Sequence, residues 1–234
     1  MKPHLLILII LGLIIALSQT AFSRSTEFTI ERDTVFNESI EIPDSTTWTI
    51  KPGVAVRFSG YHRLVVRGLL IAQANSRAPI VFTGVGRQSG SVDKPCWQGI
   101  EVAGPSGSAR FVNCRFEGAY SNLVWGSAAS FDSCIFTGNH YALYCARKAA
   151  PQIAACRFYN NIYGLVAEGA APMVYNSEIT GNTVGVYLLF NAPLASGRNT
   201  IERNQTDFKA DSSLGGNTAS FSLHYLWNIM KQLY

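Results

Sequence analysis

Four charged side chains have the types and the spacing that could support catalysis on a sugar chain. They are Arg115, Glu117, Asp132 and Arg157. Hydrolysis of a glycosidic bond needs two carboxylates at a defined separation, and elimination needs a base beside a neutralised carboxylate, so this cluster suits either reaction. Charged residues on the solvated outer face of a set of strands would give the same pattern. Both interpretations depend on the elements that carry these four residues.

Four tyrosines form a second candidate site. Tyr144 and Tyr187 alternate with apolar positions, which predicts that they point outward from a sheet, and Tyr141 and Tyr163 lie one further column away. Flat rings spaced along a stiff sheet suit stacking on the apolar faces of sugars, so this face is predicted to bind a glycan. Two alternatives are that tyrosine simply favours strands, or that a loop covers the rings.

Composition argues against metal ions, cofactors and nucleic acid. His62, His140 and His224 are far apart in sequence and in register, and no Cys/His spacing is typical of zinc. The 19 Lys and Arg against 15 Asp and Glu give a net charge of only +4, spread along the chain. Nucleic-acid partners require clustered basic patches. We therefore expect neither a metal or cofactor site nor a nucleic-acid partner.

An internal repeat of 20 to 23 residues carries these candidates. One column of the repeat consists of Cys96, Ala119, Asn139, Asn161, Asn182 and Asn204, each four positions before an aliphatic or aromatic residue. A second column consists of Cys114, Cys134, Cys156, Ser177 and Asn199. Apolar residues two apart indicate short strands with one buried face, and Asn and Gly suit tight corners. Helical repeats need 33 or more residues and leucine-rich repeats need a Leu-rich consensus, so a parallel coil of strands remains.

The N-terminal half resembles right-handed parallel β-helix proteins of the pectin-lyase-like type. From Glu41 to Val102 the shared motifs are Pro52-Gly53-Val54, Gly68, Pro79-Ile80-Val81-Phe82 and Trp97-Gln98-Gly99-Ile100. The region from Cys114 to Asn204 is similar to the Asn-containing β-helix repeats of the same group, which includes carbohydrate-binding proteins and sugar hydrolases. The resemblance implies an all-β, right-handed parallel β-helix, a fold that hosts lyases, hydrolases, adhesins and proteins without known activity.

The catalytic motifs of that group are missing from the sequence. Polygalacturonase-like enzymes would show Asn-Thr-Asp, paired aspartates, Gly-His-Gly and Arg-Ile-Lys, and the pectate-lyase type would show calcium-binding acids and Trp-x-Asp-His. None of these motifs is present. The resemblance therefore indicates the fold and leaves the chemistry open.

The N-terminus has the pattern of an export signal. Lys2 supplies a positive end, Leu5 to Leu17 an apolar run and Ala21-Phe22-Ser23 a cleavage site, so we predict a signal peptide over residues 1–23 and a mature protein that begins at Arg24. The alternative is a retained anchor, but the run is shorter than the ~20 residues that cross a bilayer. The predicted location is secreted, periplasmic or cell-surface, with no membrane span after cleavage.

The mature chain is predicted to be one β-helix domain with capped ends. The domain covers residues 24–215, with regular repeats over about 96–212, a cap at about 24–44 and an apolar C-terminal cap at 216–234. The polar stretch from Gly84 to Pro95 is predicted to be an extruded loop.

Three of the five cysteines share one repeat position, which predicts free thiols stacked in the core. Neighbouring cysteines on stacked strands are close enough to pair, but their parallel Cβ vectors suit a disulfide poorly.

Taken together, these patterns predict an exported, non-catalytic β-helix module that binds carbohydrate or has a structural or interaction role. The alternative is a polysaccharide lyase or glycoside hydrolase with an atypical site. A role as an assembly partner remains open, and so does the oligomeric state.

Overall fold

The computed structural model describes residues 26–86, 94–190 and 192–211. All elements in these ranges are β-strands, twenty-four in number. The predicted signal peptide and C-terminal cap, and most of the predicted loop between Gly84 and Pro95, lie outside the described residues.

The strands form three parallel sheets, because each turn of the chain adds one strand to each sheet. The first sheet contains β1 (Thr26–Ile30), β4 (Thr46–Ile50), β7 (Leu69–Gln73), β10 (Ser108–Val112), β13 (Ala128–Asp132), β16 (Gln152–Ala154), β19 (Met173–Tyr175) and β22 (Ala195–Gly197). The second contains β2 (Thr34–Phe36), β5 (Ala55–Phe58), β8 (Ile80–Gly84), β11 (Cys114–Glu117), β14 (Ile135–Thr137), β17 (Arg157–Tyr159), β20 (Glu178–Thr180) and β23 (Thr200–Glu202). The third contains β3 (Ile40–Ile42), β6 (Arg63–Val66), β9 (Gly99–Ala103), β12 (Ser121–Trp125), β15 (Tyr141–Ala146), β18 (Tyr163–Glu168), β21 (Val184–Leu189) and β24 (Thr206–Asp211). These eight turns confirm the predicted parallel β-helix.

The core lies inside the coil, where identical positions of successive turns stack. Phe116 and Phe136 have ring centroids 4.6 Å apart, and Phe136 and Phe158 repeat that spacing. Phe82 extends the stack one turn earlier, at 5.3 Å from Phe116. Stacked rings of this kind contribute about 0.5–1.5 kcal/mol each beyond the area that they bury. The inward aromatic residues therefore fix the alignment of the turns.

A single residue in the left-handed backbone region forms two of the three corners in each of the later turns. Between the first and second sheets these residues are Asn113, Ser133, Ala155, Asn176 and Arg198, with φ between 50° and 56°. Between the second and third sheets they are Gly118, Gly138, Asn160, Gly181 and Arg203, with φ between 54° and 67°. The residue that follows each corner belongs to one of the two repeat columns seen in the sequence.

An asparagine ladder runs along the corner between the second and third sheets. The side chain of Asn161 accepts hydrogen bonds from the backbone N–H and the side-chain amide of Asn139, both at 3.0 Å. Its own amide donates to the Phe136 carbonyl and to Asn182. Asn182 contacts Asn204 in the same way, and Asn204 donates from both nitrogens to the Asp207 carboxylate. Asn161 and Asn182 therefore each link their own turn to the turn before and the turn after.

The predicted head of this column is wrong by one residue. Trp97, not Cys96, lies opposite Ala119, and the Trp97 indole donates to the Glu117 carbonyl at 2.8 Å. Cys96 instead lies one position earlier, where its thiol donates to the Gly118 carbonyl. The indole N–H bonds a carbonyl of the neighbouring turn, as the asparagine amides do later in the ladder, so a large aromatic residue can replace the amide.

A bulge in β12 shifts the expected alignment of one turn. Leu123 pairs with Tyr144 and Val124 pairs with Cys145, so Val124 points into the core and Leu123 points outward. The reason is Asn122, which is buried and donates to the Ala142 carbonyl while accepting from the Ile100 N–H. Leu123 follows its ladder residue by four positions, as Leu143 and Leu165 follow theirs, and this spacing predicts an inward side chain, which is wrong for Leu123.

The described ends of the coil leave core positions exposed. Residues that we predicted to form an N-terminal cap supply β1, β2 and β3, which are the first turn itself. Phe28 in β1 is 48% exposed, and Phe208 in β24, which continues the inward column of Val186, is 55% exposed.

All five cysteines are free, which confirms the prediction made for the three that share a repeat position. The thiols of Cys114, Cys134 and Cys156 donate to backbone carbonyls of neighbouring residues and turns at 3.2–3.6 Å. Burial raises the pKa of Cys134 and of Cys145, and the hydrogen bond with Cys134, together with burial, raises that of Cys156. These side chains are protonated core residues.

Candidate functional site

A long groove follows the outer face of the second sheet and its corner with the third. It has a volume of about 1090 Å³ and is open to solvent. Its lining comes from successive turns and is mostly polar: Arg57, Thr83, Gly84, Val85, Gly86, Arg115, Glu117, Thr137, Gly138, Tyr159, Asn160, Asn161, Gly181, Asn182, Thr183, Arg203 and Gln205. The groove runs along the coil axis and crosses the strands.

Strand register places one column of side chains along this groove. Glu117 pairs with Thr137 and Thr137 with Tyr159, so these three residues lie in adjacent strands at a spacing of ~4.8 Å. Each stands next to an inward phenylalanine, so alternation directs it to the outer face. Because the stacked phenylalanines hold the strands in place, the outer column is rigid.

Three ion pairs supply the charge at the groove, and one of them joins Arg203 to Glu202 at 3.4 Å. The Arg115 guanidinium donates to one oxygen of Glu117 at 2.6 Å and 3.0 Å. At the N-terminal end, Arg57 donates to Asp33 at 2.9 Å. A backbone hydrogen bond from Ala55, together with Arg57, lowers the pKa of Asp33. The charged side chains at the groove are therefore paired with side chains of opposite charge, and its other polar groups are neutral hydrogen-bonding groups.

The structure brings together only part of the predicted catalytic cluster. Arg115 and Glu117 form the ion pair above, whereas Arg157 lies two strands from Arg115 in the same outward column, with Ile135 between them. Arg115 and Arg157 both reach a second groove of about 420 Å³ between the first and second sheets. Asp132 ends β13 in the first sheet, where it accepts a hydrogen bond from the Ser133 hydroxyl, and it lines neither groove. Of the four side chains, Arg115 and Glu117 form a direct contact, and the catalytic assignment of the cluster stays a prediction.

The predicted tyrosines lie on the outer face of the third sheet. The direction of these side chains is confirmed, because they form a cluster separate from the core, which we call the tyrosine face: Leu123, Tyr141, Tyr144, Ala146, Val166, Tyr187 and Leu189, flanked by Tyr120, Trp125, Tyr163, Val184 and Phe190. The expected accessibility is wrong for three of the four tyrosines, since Tyr144 is 2% exposed and Tyr141 and Tyr187 are 8% exposed.

Contacts within the tyrosine face already occupy its rings. Tyr141 stacks on Tyr163 at 4.9 Å and meets Tyr144 edge to face at 5.5 Å. The Tyr144 hydroxyl donates to the buried Glu168 carboxylate. The Lys209 ammonium lies 4.6 Å above the Tyr187 ring, and burial, followed by the Asp211 carboxylate, raises the pKa of Tyr187. These rings pack like a second layer of core, and their assignment as a glycan site stays a prediction.

Comparison with known proteins identifies the coil. A family model described as "right handed beta helix region" matches residues 98–218, slightly more than half of the chain. The chain belongs to this right-handed β-helix family. No curated protein and no solved structure matches it. The family assignment adds the hand of the coil to the three-sheet topology.

Neither a metal-binding cluster nor a membrane-spanning helix occurs in the described part of the β-helix. Within the described ranges, no three His, Cys, Asp or Glu side chains come together as a metal site would require. The same part of the chain contains no helix with the length and apolarity to cross a membrane.

Sequence reasoning missed most of the groove of this β-helix. Tyr159 and Thr137 were not among the candidates, although both stand three positions after a residue of the cysteine column. The sequence did contain a signal for these two residues. Each directly follows an inward aromatic residue, so its own side chain must face outward. That third position holds Glu117, Thr137, Tyr159, Thr180 and Glu202, all polar or amphipathic.

Proposed function

We propose that this chain is a non-catalytic β-helix module that binds carbohydrate in the long groove of the second sheet. The observation that carries the proposal is the groove itself, which is continuous across successive turns and lined by polar side chains on a rigid sheet. A linear polymer lying along the coil axis would meet a similar set of groups at each turn, because the turns repeat.

Hydrogen-bonding groups and one ring in the groove suit a sugar. Asn160, Thr183 and Gln205 offer hydroxyl and amide groups, and the Arg115–Glu117 pair presents both donors and acceptors. Tyr159 supplies an aromatic ring at a half-buried position, and the apolar face of a sugar ring stacks on such a partner. The sugar class is therefore one with free hydroxyls along its length.

A binding role is favoured over hydrolysis by the number of acids. Among the described residues that line the groove, Glu117 is the one carboxylate, and Arg115 holds it in an ion pair. Hydrolysis with two acids requires a second carboxyl group within about 10 Å of the first. We propose an exported protein on the strength of the N-terminal signal pattern, at the cell surface, in the periplasm or secreted.

A glycan panel tests this proposal with matched tyrosine variants. Tyr159→Ala is expected to weaken binding about fivefold, since loss of a stacking ring costs on the order of 1 kcal/mol. Tyr175→Ala is the control, because Tyr175 is also an exposed tyrosine on an outer sheet face but belongs to the first sheet. Absence of binding across the panel, or equal losses for both variants, would contradict the proposal.

The alternative function, cleavage of a polysaccharide, rests on the Arg115–Glu117 pair inside the groove. Release of reducing or unsaturated sugar ends by the purified protein, abolished by Glu117→Gln and retained by Asp132→Asn, would replace the binding proposal with an enzyme.

A further inference from the structure

The second groove, at the corner between the first and second sheets, carries an excess of positive charge. Its volume of about 420 Å³ falls within the range of small-ligand sites in proteins. Arg115 and Arg157 both line it, and none of the described residues that line it is acidic. The chemistry of this groove therefore depends on what holds the two guanidiniums and on which of their donors stay free.

Strand register places the two arginines on either side of an aliphatic residue. Arg115 in β11 pairs with Ile135 in β14, and Ile135 pairs with Arg157 in β17. Each of the three directly precedes an inward phenylalanine, so all three face outward. Two strand spacings separate the Cα atoms of the arginines by ~9.6 Å, and the half-buried Ile135 lies between them. A ligand seated above Ile135 can reach both guanidiniums.

Both guanidiniums keep donors for a ligand. Arg115 donates from Nε and Nη2 to Glu117, which leaves its Nη1 group. Arg157 forms no ion pair with any described residue. Glu178 stands opposite Arg157 in β20, but its carboxylate accepts a hydrogen bond from the Thr180 hydroxyl at 3.4 Å, further along the strand and away from the groove. The positive charge of Arg157 therefore lacks a carboxylate in contact with it.

The remaining groups at this corner are used within the coil. The Asp132 carboxylate accepts from the Ser133 hydroxyl and does not line the groove. The backbone N–H groups of Asn113, Ser133 and Ala155 each donate to a carbonyl of the next turn. The Asn113 amide donates one hydrogen to the Ala74 carbonyl and has a second one left. A ligand in the groove would therefore be held by side chains, above all by the two guanidiniums.

We propose that the second groove binds an oxyanion of the sulfate or phosphate class between Arg115 and Arg157. A tetrahedral anion directs its oxygens to several sides and can accept hydrogen bonds from two guanidiniums that approach from opposite sides. A carboxylate has both oxygens on one side, where a single guanidinium binds them both. Free sulfate or phosphate and the corresponding esters of a sugar share this chemistry. Arg115 lines both grooves, but the anion site does not depend on glycan binding, because an inorganic ion is sufficient to fill it.

Isothermal titration calorimetry of the full chain with sodium sulfate tests the proposal. Sodium chloride keeps the ionic strength constant, so that general screening does not change during the titration. One sulfate per chain is expected to bind saturably, and Arg157→Gln is expected to weaken binding about tenfold, since it removes charge-assisted hydrogen bonds. Arg110→Gln is the matched control, because Arg110 is an exposed arginine of β10 that lines neither groove, and it is expected to leave binding unchanged.

A second pair of variants changes the site without removing an arginine. Ile135→Glu places a carboxylate between the two guanidiniums and is expected to abolish sulfate binding, because the carboxylate competes for the same donors. Ile135→Gln has the same shape without the charge and is expected to retain most of the binding. Thermal unfolding in chloride shows whether both variants fold, and Arg157→Gln decides the outcome if Ile135→Glu does not.

A sulfated monosaccharide and sodium acetate complete the titrations. Tighter binding of the sulfated sugar than of inorganic sulfate would identify an ester as the source of the anion, and equal binding would identify the free ion. Three results would overturn the proposal: no saturable binding of sulfate or phosphate, equal losses for Arg157→Gln and Arg110→Gln, or binding of acetate as tight as that of sulfate.

Discussion

Asn161 holds together three turns of the coil through one side chain. Replacing it with alanine leaves the Asn139 N–H and the Phe136 carbonyl buried without these partners. At about 1–3 kcal/mol for each unsatisfied group, Asn161→Ala is expected to lower the free energy of unfolding by about 2–6 kcal/mol, measured by urea denaturation. Asn204→Ala, at the partly exposed end of the ladder, is expected to cost about 1 kcal/mol. Equal costs would contradict a graded contribution along the ladder.

The buried thiols are expected to resist reagents that attack thiolates. Burial raises the pKa of Cys134 and Cys145, and hydrogen bonding with Cys134 raises that of Cys156, so these groups stay protonated at pH 8. Native protein should react at no more than the partly exposed Cys96, and denatured, unreduced protein should react at all five cysteines. Cys96→Ser should abolish the native reaction, whereas fewer than five reactive thiols after denaturation would indicate a disulfide.

At the scale of the element, the left-handed corners determine how each strand meets the next. Gly181 has φ +65°, and a Cβ there would meet nothing closer than 3.7 Å, so Gly181→Ala tests backbone strain alone. It is expected to destabilise the fold by about 1 kcal/mol. Ala155 adopts the same conformation, with φ 52°, and Ala155→Gly is expected to stabilise the fold by up to about 1 kcal/mol. The pair is measured by thermal unfolding, and opposite signs are the expected result.

The strands and corners were predictable from the sequence because they repeat. The asparagine column and the inward phenylalanines each satisfy one rule at every turn, so a single period places them all. The register near Asn122 was not predictable, because Leu123 and Val124 are both apolar and either one fits the core. Only the buried amide of Asn122, which bonds to two neighbouring turns, selects between them.

The candidate sites were harder to predict for a related reason. Alternation separates inward from outward side chains, but it does not distinguish solvent from a second apolar layer. Tyr144 and Tyr159 both face away from the core, yet one is buried and the other lines an open groove. A sequence period of two therefore shows which side chains lie on the outer face of a sheet, but it does not show whether solvent or another layer lies against that face.

For the whole molecule, stability should vary along the coil, since each turn contacts mainly its neighbours. Leu165 and Phe208 belong to one inward column, but Leu165 is fully buried and Phe208 is largely exposed. Leu165→Ala is expected to cost about 2–5 kcal/mol. Phe208→Ala is expected to cost less than about 1 kcal/mol, measured by the same urea titration. A large loss for Phe208→Ala would show that its exposed ring is buried in solution, for example by a second copy.

The hydrogen bonds between the asparagine side chains of the ladder all run in one direction along the coil. This direction determines where further turns could extend the ladder. Each bond between two asparagine side chains runs from the amide of one turn to the oxygen of the next turn toward the C-terminus, and the last amide, that of Asn204, donates to the Asp207 carboxylate, which accepts and cannot donate onward. New turns appended after Asp207 would not continue this series of hydrogen bonds, because the Asp207 carboxylate has no hydrogen to donate to the next turn. Duplication of an internal turn, such as the 21 residues from Asn161 to Gly181, would preserve every link and lengthen the coil by ~4.8 Å. Duplication of an internal turn would therefore lengthen the asparagine ladder, whereas turns added after Asp207 would not continue it.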